Sequence, residues 1–231
     1  MTAPPIRAVG IGVPARDEEA TIGACLAAVA VAARHVSVPV VVAVVADGCT
    51  DATAARAAAL GPAGTVVATP HRGVGRARSL ALDTALAATG VPADEVWLAT
   101  TDADTTVSPT WLATQLRWAG RGYDAVTGLV GIDWSGSDPE LPGRYVASLA
   151  PGGTGTGHGH VHGANLGVRA SWWQAVGGCG PAGCGEDREL WDRLARAGAR
   201  TIGVDDLAVT TSARLSSRVD GGFATYLAAL A

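Results

Sequence analysis

The 231-residue sequence contains no lysine, and all 17 of its basic residues are arginine. These arginines form no basic block, and the formal net charge of the chain is -4. Because binding to a nucleic-acid backbone requires clustered positive charge, this composition argues against a nucleic acid as partner. The sequence also lacks a run near the roughly 20 apolar residues that cross a bilayer, so we expect no transmembrane segment.

A secretory leader and a zinc-ribbon pattern are absent as well. The first seven residues lack the basic-then-apolar layout of a signal peptide, and we therefore expect a cytoplasmic protein. None of the four cysteines has CxxC spacing, and Cys25 and Cys49 are expected to be reduced thiols. Cys179 and Cys184 lie close enough in sequence to approach each other, but a cytosolic location disfavours a disulfide between them.

Apolar runs of β type alternate with helical stretches through the first half of the chain. This alternation predicts one α/β domain with βαβ units around a mostly parallel central sheet that is flanked by helices. The predicted strands cover residues 8–13, 38–45, 65–68, 95–100, 125–130, 165–168 and 201–204. The predicted helices cover residues 22–33, about 51–60, 75–88, 109–119 and 170–176, with another from residue 186 and a C-terminal helical tail. Residues 135–163, rich in Gly, Pro and Ser, are predicted to form an irregular loop over a site.

Acidic residues follow three of the predicted strands. They are Asp17, Glu18 and Glu19 after the first, Asp47 and Asp51 after the second, and Asp102 and Asp104 after the fourth. Ligands of parallel α/β sheets bind beyond these carboxyl ends. Asp102 and Asp104 are two residues apart, so in an extended segment they face one ligand together. Two adjacent carboxylates repel unless a cation lies beside them, which indicates Mg²⁺ or Mn²⁺ bridging to a diphosphate. The alternative is a polar turn that caps the next helix.

Six short segments carry a resemblance to a known family. They are Val13-Pro14-Ala15-Arg16-Asp17-Glu18-Glu19, Val44-Val45-Ala46-Asp47-Gly48-Cys49-Thr50-Asp51, Gly73-Val74-Gly75-Arg76-Ala77-Arg78, Asp102-Ala103-Asp104, His162-Gly163-Ala164-Asn165 and Gly185-Glu186-Asp187. In order and spacing, from about Val9 to Leu194, they resemble the motifs of family 2 glycosyltransferases. The resemblance implies a GT-A fold over residues 1–231, with a nucleotide-sugar and metal-binding half at about 1–108. An acceptor-binding and catalytic half is implied at about 109–231.

The same resemblance implies a reaction and a set of site residues. A sugar is expected to move, with inversion, from a nucleoside-diphosphate sugar to a hydroxyl of a small-molecule, lipid or glycan acceptor. The implied donor-binding residues are Pro14, Arg16, Glu18, Asp47, Arg76, Asp102 and Ala103; the implied acceptor-binding residues are His162, Gly163, Ala164 and Asn165. Mn²⁺ or Mg²⁺ is implied at Asp104 and Asp102. Asp187, next to Glu186, is implied to be the catalytic base, and a position at a helix N-terminus would keep its carboxylate ionised.

Several residues keep two interpretations at this stage. Arg76 either pairs with phosphate or is a solvated helix residue. His158, His160 and His162 alternate and either share a metal-binding face or belong to a glycine-rich loop, the second being favoured for His158 and His160. The tryptophans Trp134, Trp172 and Trp173 either stack on a ligand or pack in the core.

Two departures from the family pattern and two alternative functions remain. Ala46 stands where many relatives have a second Asp, and no clear histidine occurs near Thr210-Thr211-Ser212, where some relatives supply a further metal ligand. A nucleotidyltransferase that makes a nucleotide sugar is one alternative, although such enzymes usually have a glycine-rich basic loop where this chain is acidic. A non-catalytic module that binds nucleotide sugars is the other.

Overall fold

The computed structural model describes residues 4–59, 64–148, 159–180, 185–215 and 223–231, which form one eight-stranded sheet covered by helices. The strands are β1 Ala8–Ala15, β2 Val40–Asp47, β3 Gly64–Thr69, β4 Val96–Thr100, β5 Thr105–Val107, β6 Ala125–Asp133, β7 Leu166–Arg169 and β8 Thr201–Ser212. The helices are α1 Ile22–Ala33, α2 Thr53–Ala59, α3 Val74–Thr89, α4 Trp111–Gly120, α5 Leu141–Ser148, α6 Ala170–Val176, α7 Glu186–Arg196 and α8 Phe223–Ala228. Short 3-10 turns lie at Ala93–Glu95 and Gly163–Asn165.

The sheet is mixed, so the prediction of a mostly parallel sheet is wrong. Its strand order is β3-β2-β1-β4-β7-β6-β8-β5. The four strands of the first half pair in parallel, as the strand-helix alternation predicted. β7 then runs antiparallel to both β4 and β6, and β5 runs antiparallel to β8. β7 has only four residues, all buried, and such a short apolar run carries no information about its direction.

β1 lies at the centre of the fold, and all eight of its residues are buried. Val9, Ile11 and Val13 face the core formed with α1 and α4. On the other face, glycines let α3 approach the sheet: a Cβ at Gly12 would lie 2.8 Å from the side chain of Leu82. Each large apolar side chain buried in this way contributes about 1.5–3 kcal/mol relative to its exposed state.

Two further elements differ from the prediction. α5 lies within the segment predicted to be an irregular loop, and only its Leu141 is buried, which explains the weak apolar periodicity there. β8 continues to Ser212 instead of ending near Val204. The polar pair Asp205-Asp206 interrupts its apolar run. Residues 205–207 form a bulge in β8 opposite Gly128 and Leu129 of β6, and the pairing resumes at Ala208. The predicted end of α2 near Leu60 falls outside the described residues.

The structure also bears on the cysteines and on the absence of a predicted membrane span. Cys25, Cys49 and Cys179 are free thiols, and Cys184 lies outside the described residues. In the described parts of the chain, no helix has the length and apolar character needed to span a bilayer.

Candidate active site

A cavity of about 880 Å³ opens where β1, β2 and β4 end. These parallel strands point their carboxyl ends to one edge, which is where the sheet topology places a ligand. Most of the predicted site residues line this cavity. They are Pro14, Arg16, Glu18, Asp47, Asp102, Ala103, Asp104, His162, Gly163, Ala164, Glu186 and Asp187. The fold thus brings together segments that are up to 173 residues apart, from Pro14 to Asp187.

Arg78 joins the two halves of the cavity. Its Nη1 donates to Asp102 Oδ1 at 3.1 Å, to Thr100 Oγ1 at 3.0 Å and to the carbonyl of Gly163 at 3.0 Å. Its Nη2 donates to Glu186 Oε1 at 3.1 Å. One guanidinium therefore connects the end of β4, the 3-10 turn before β7 and the first residue of α7.

Arg78 and Glu186 are almost completely removed from water. The side chains of Arg78 and Glu186 are 3% and 6% exposed, whereas that of Asp102 is 37% exposed and faces the cavity. Burial alone would lower the pKa of Arg78, but Asp102 and Glu186 raise it above its ordinary value. Burial also raises the pKa of Glu186, against the opposing effect of Arg78. Glu186 thus holds Arg78 in place, and Asp102 keeps an oxygen near solvent.

Asp104 lies deeper than Asp102, beside a second arginine. Its Oδ2 is 3.1 Å from Arg214 Nη2, and its Oδ1 accepts a hydrogen bond from Thr211 Oγ1 at 3.2 Å. Arg214 also donates to Glu18, so it connects the segments after β1, β4 and β8. Burial raises the pKa of Asp104 to about 6, although Arg214 acts to lower it.

The groups around Asp104 suit a hard divalent cation. Asp102 and Asp104 offer carboxylate oxygens, and Thr211 adds a hydroxyl at the same point of the cavity wall. Oxygen donors are those that Mg²⁺ and Mn²⁺ prefer, and such ions are commonly bound by one or two carboxylates together with substrate phosphates. The residues present therefore fit a metal that completes its coordination with a diphosphate.

A second group of possible metal ligands lies beside the cavity. Possible ligand atoms of Asp17, Cys49 and Asp51 lie within 4.8 Å of one another. Among the described residues, no other group of three His, Cys, Asp or Glu side chains lies this close together. Their oxygens already accept local hydrogen bonds: Asp17 from the backbone and hydroxyl of Thr50, and Asp51 from those of Thr53. These contacts join the turn after β2 to the segment after β1, in which Asp17 has a positive φ of 51°.

Asp47, at the end of β2, supports a loop that borders the cavity. Its buried carboxylate accepts hydrogen bonds from the backbone N–H groups of Arg72 at 2.7 Å and Gly73 at 3.0 Å. His71 Nδ1 lies 2.9 Å from the same carboxylate. Gly73 has φ of 90°, a value that favours glycine, at the N-terminus of α3. Asp47 therefore shapes this loop, and its contact with a nucleotide base stays a prediction.

Asp187 lines the cavity from the first turn of α7. Its Oδ2 accepts a hydrogen bond from the backbone N–H of Gly163 at 2.8 Å, and its Oδ1 accepts one from that of Arg188 at 2.7 Å. Gly163 is thus held by Asp187 through its N–H and by Arg78 through its carbonyl. A Cβ at Gly163 would lie 2.5 Å from Arg78 Nη2, so this position excludes any side chain.

Two of the predicted site residues are not among the residues that line the described cavity. Arg76 is exposed on α3. Asn165 is fully buried, and its amide donates to the carbonyls of Leu129 at 2.9 Å and Leu207 at 3.0 Å. Its Oδ1 accepts from the indole N–H of Trp111 at 2.9 Å. Asn165 therefore ties β6, β8 and α4 together directly behind Gly163 and Ala164.

The histidines and tryptophans divide between the cavity and the core. His162 lines the cavity, and its ring stacks on that of His160 with centroids 6.0 Å apart, while His158 lies outside the described residues. Trp173 is buried and donates to Asp83 at 2.7 Å, as the core-packing interpretation predicted. Trp172 packs against the same core. Trp134 contacts Tyr145, and Tyr145 lines the cavity.

Sequence reasoning assigned no role to Arg78 or Arg214. Arg78 had a detectable signal, since it shares helical spacing with the buried residues Ala81, Leu82 and Ala85 of α3. A charged residue on an apolar helix face requires a buried partner. Arg214 follows β8, which extends to Ser212 beyond its predicted end. No apolar periodicity in the sequence around Arg214 indicated that it lies at a strand end.

Two solved structures with bound nucleotide sugars share the fold of this chain. The chain is similar to S. aureus TarS 1-349 in complex with UDP-GlcNAc, with a TM-score of 0.67 and 14% identity over 94% of this chain and 62% of that one. It is also similar to the mannosyltransferase PcManGT from Pyrobaculum calidifontis in complex with GDP-Man and Mn²⁺, with a TM-score of 0.61 and 20% identity over 93% of this chain and 59% of that one. The chain spans about three fifths of the length of each of these two chains. These similarities show the GT-A fold.

Sequence comparison identifies the family. No curated protein sequence matches the chain. The family model described as Glycosyl transferase family 2 matches residues 11–156, which is more than half of the chain and includes β1 to α5. The chain therefore belongs to glycosyl transferase family 2.

Proposed function

We propose that this enzyme transfers a sugar, with inversion, from a nucleoside-diphosphate sugar to a hydroxyl acceptor, with a divalent metal at Asp102 and Asp104 and with Asp187 as base. The observation that carries the proposal is the bridge made by Arg78. It holds Asp102, on the proposed donor side, and Glu186, next to the proposed base, within the span of one guanidinium. A donor and an acceptor bound in this cavity would meet between these two segments.

The residues of the chain have separate tasks in this proposal. The acceptor hydroxyl attacks the anomeric carbon while the bond to the diphosphate breaks, and the nucleoside diphosphate leaves with the electron pair. Asp187 accepts the hydroxyl proton at a carboxylate oxygen. The backbone N–H groups of Gly163 and Arg188 orient that carboxylate, and the N-terminus of α7 favours its ionised form.

The donor side would stabilise the departing charge. A divalent ion held by Asp104 and Asp102 would neutralise negative charge that grows on the diphosphate. Arg16, Glu18 and Asp47 line the wall next to these carboxylates, where the nucleotide would lie. Arg76 is exposed and is not among the residues that line the described cavity. A contact between Arg76 and a phosphate would therefore form outside the cavity wall.

The acceptor would enter beside His162 and Ala164. Tyr145 and Phe223 also line the cavity, and their rings contact each other edge to face with centroids 6.1 Å apart. Asn165 supports this wall from behind through its hydrogen bonds to two strands, so we assign it to the acceptor side as a positioning residue.

Donor and metal binding can be tested by thermal unfolding with UDP, GDP, ADP, CDP and TDP, each with and without Mn²⁺. We expect at least one nucleotide to raise the melting temperature, with a larger rise when Mn²⁺ is present. Asp104→Asn should remove the Mn²⁺-dependent part. Asp206→Asn, which alters an exposed carboxylate paired with Arg117, is the matched control and should retain it. If no diphosphate shifts the melting temperature, the proposed donor class is wrong.

The role of Asp187 can be tested by following nucleoside diphosphate release from the nucleotide sugar that binds best, with water as the acceptor. Asp187→Asn should abolish release and preserve donor binding, because only the base is lost. Glu189→Gln, on the exposed side of the same helix, is the matched control and should keep both. Undiminished release by Asp187→Asn would exclude Asp187 as the base, and binding without release by the wild type would indicate a non-catalytic module.

A further inference from the structure

Arg214 lies two residues after β8 and contacts carboxylates that follow two other strands. Its Nη2 is 3.1 Å from Asp104 Oδ2, and its Nη1 is hydrogen bonded to Glu18. We propose that Arg214 is an internal cation that occupies the metal site in the metal-free enzyme, and that a divalent ion binds by displacing it from Asp104. This inference rests on the proposed function, because the proposed function places the ion at Asp104.

The two carboxylates need a positive charge in the absence of metal. The side chains of Glu18 and Asp104 are only 7% and 12% exposed. Buried carboxylates without a compensating cation strongly destabilise a fold. Arg214, which is 26% exposed and follows the end of β8, supplies that charge and thereby stabilises this edge of the cavity.

Arg214 and a metal ion cannot share Asp104 in the observed arrangement. Oδ2 of Asp104 faces Arg214, and Oδ1 accepts from Thr211 at 3.2 Å. A bound Mg²⁺ or Mn²⁺ would lie about 2.0–2.2 Å from a carboxylate oxygen. A guanidinium 3.1 Å from the same carboxylate would then repel the ion in a site that water screens poorly.

The arrangement of Arg214 allows an exchange without unfolding. Its two terminal nitrogens contact different carboxylates, so Nη1 can remain with Glu18 while Nη2 leaves Asp104. The side chain also borders two cavities, the one described above and a second of about 530 Å³ lined by residues such as Thr21, Ser135 and Thr210. The displaced nitrogen therefore has open space on either side. The sequence has no histidine near residues 210–212, so a cation rather than a further metal ligand stands at this position.

Arg214 should consequently weaken metal binding, and removing its charge should strengthen it. Isothermal titration with Mn²⁺ alone, without nucleotide, measures this directly. We expect Arg214→Gln to lower the Mn²⁺ dissociation constant about tenfold, which corresponds to about 1.4 kcal/mol. Arg117→Gln removes an exposed arginine of another ion pair and should leave the dissociation constant unchanged.

Asp104→Asn separates this inference from the proposed function on which it rests. If Asp104→Asn abolishes Mn²⁺ binding and Arg214→Gln leaves it unchanged or weaker, the metal site is correct and the exchange by Arg214 is wrong. If Asp104→Asn retains Mn²⁺ binding, both are wrong. If neither the wild type nor Arg214→Gln binds Mn²⁺, the exchange by Arg214 is wrong.

A conservative variant covers the case in which Arg214→Gln fails to fold, which circular dichroism would reveal. Arg214→Lys keeps the charge, but its single ammonium cannot contact Glu18 and Asp104 in the same forked manner. Its dissociation constant for Mn²⁺ should lie between those expected for the wild type and for Arg214→Gln. A constant equal to or higher than that of the wild type would overturn the inference.

Discussion

Replacing Arg78 by methionine should strongly destabilise the enzyme. The substitution preserves much of the aliphatic volume and removes the guanidinium that contacts Asp102, Glu186, Thr100 and the Gly163 carbonyl. The largest effect comes from Glu186, whose side chain is 6% exposed and would lose its charged partner. Asp102 is 37% exposed, so solvent partly replaces its lost contact and its share is small.

Breaking a buried ion pair from one side costs about 3–5 kcal/mol. For a chain of this length each kcal/mol lowers the melting temperature by about 2–4 °C, which gives a decrease of about 10 °C. The decrease should be smaller at low pH. Burial already raises the pKa of Glu186, and removal of Arg78 would raise it further. The penalty is therefore full when Glu186 is ionised, and it diminishes as the pH falls through that raised pKa.

Urea unfolding followed by circular dichroism at pH 8 and pH 5 measures both effects. Arg76→Met, an exposed arginine on the same helix, is the matched control for stability and should change the unfolding free energy by less than about 0.5 kcal/mol. Adding Glu186→Gln to Arg78→Met should restore part of the loss, because no buried charge is then left unpaired. If Arg78→Met is as mild as Arg76→Met, or if its cost is larger at pH 5, the inferred network is wrong.

Three further predictions concern the core. Gly128→Ala should lower the unfolding free energy severely, because its Cβ would lie 2.0 Å from the carbonyl oxygen of Leu207. Gly131→Ala on the same strand is the control and should have a mild effect, because its Cβ would meet no atom closer than 3.5 Å. Urea unfolding measures both free energies. Asn165→Ala should cost about 3 kcal/mol or more in the same assay, because it leaves several buried hydrogen-bonding groups unpaired; a loss below 1 kcal/mol would contradict that. Burial raises the pKa of Cys25 to about 12, so its thiol should stay protonated and resist iodoacetamide at pH 8 in the native state but react in urea, as mass spectrometry of the peptides would show.

The first half of the fold could be predicted from the sequence. Strands such as β1 and β2 consist of continuous apolar residues, and the helices between them have apolar spacing, so both element types and the parallel pairing followed from local pattern. Most residues of the six motifs also line the described cavity. Those after β1, β2 and β4 do so because the residues just after parallel strands meet at one edge of the sheet, and their roles there stay predictions.

The second half depended on information that local pattern does not contain. The direction of β7 and the extension of β8 result from pairing with strands far away in the chain, and neither leaves a periodic signal. The placement of Asn165 behind the cavity wall likewise depends on where β6 and β8 pass.

The sequence by itself determined which carboxylates stand at the ends of the central strands and, through its motifs, the family. Only the tertiary structure decided which cations those carboxylates meet. Arg78 lies 24 residues before Asp102 and 108 before Glu186, and Arg214 lies 196 residues after Glu18. A buried charge needs an oppositely charged group close to it in space, because the low dielectric of the interior makes an unpaired charge costly. Which groups are close depends on how the strands assemble into the sheet, and the sequence alone does not specify this.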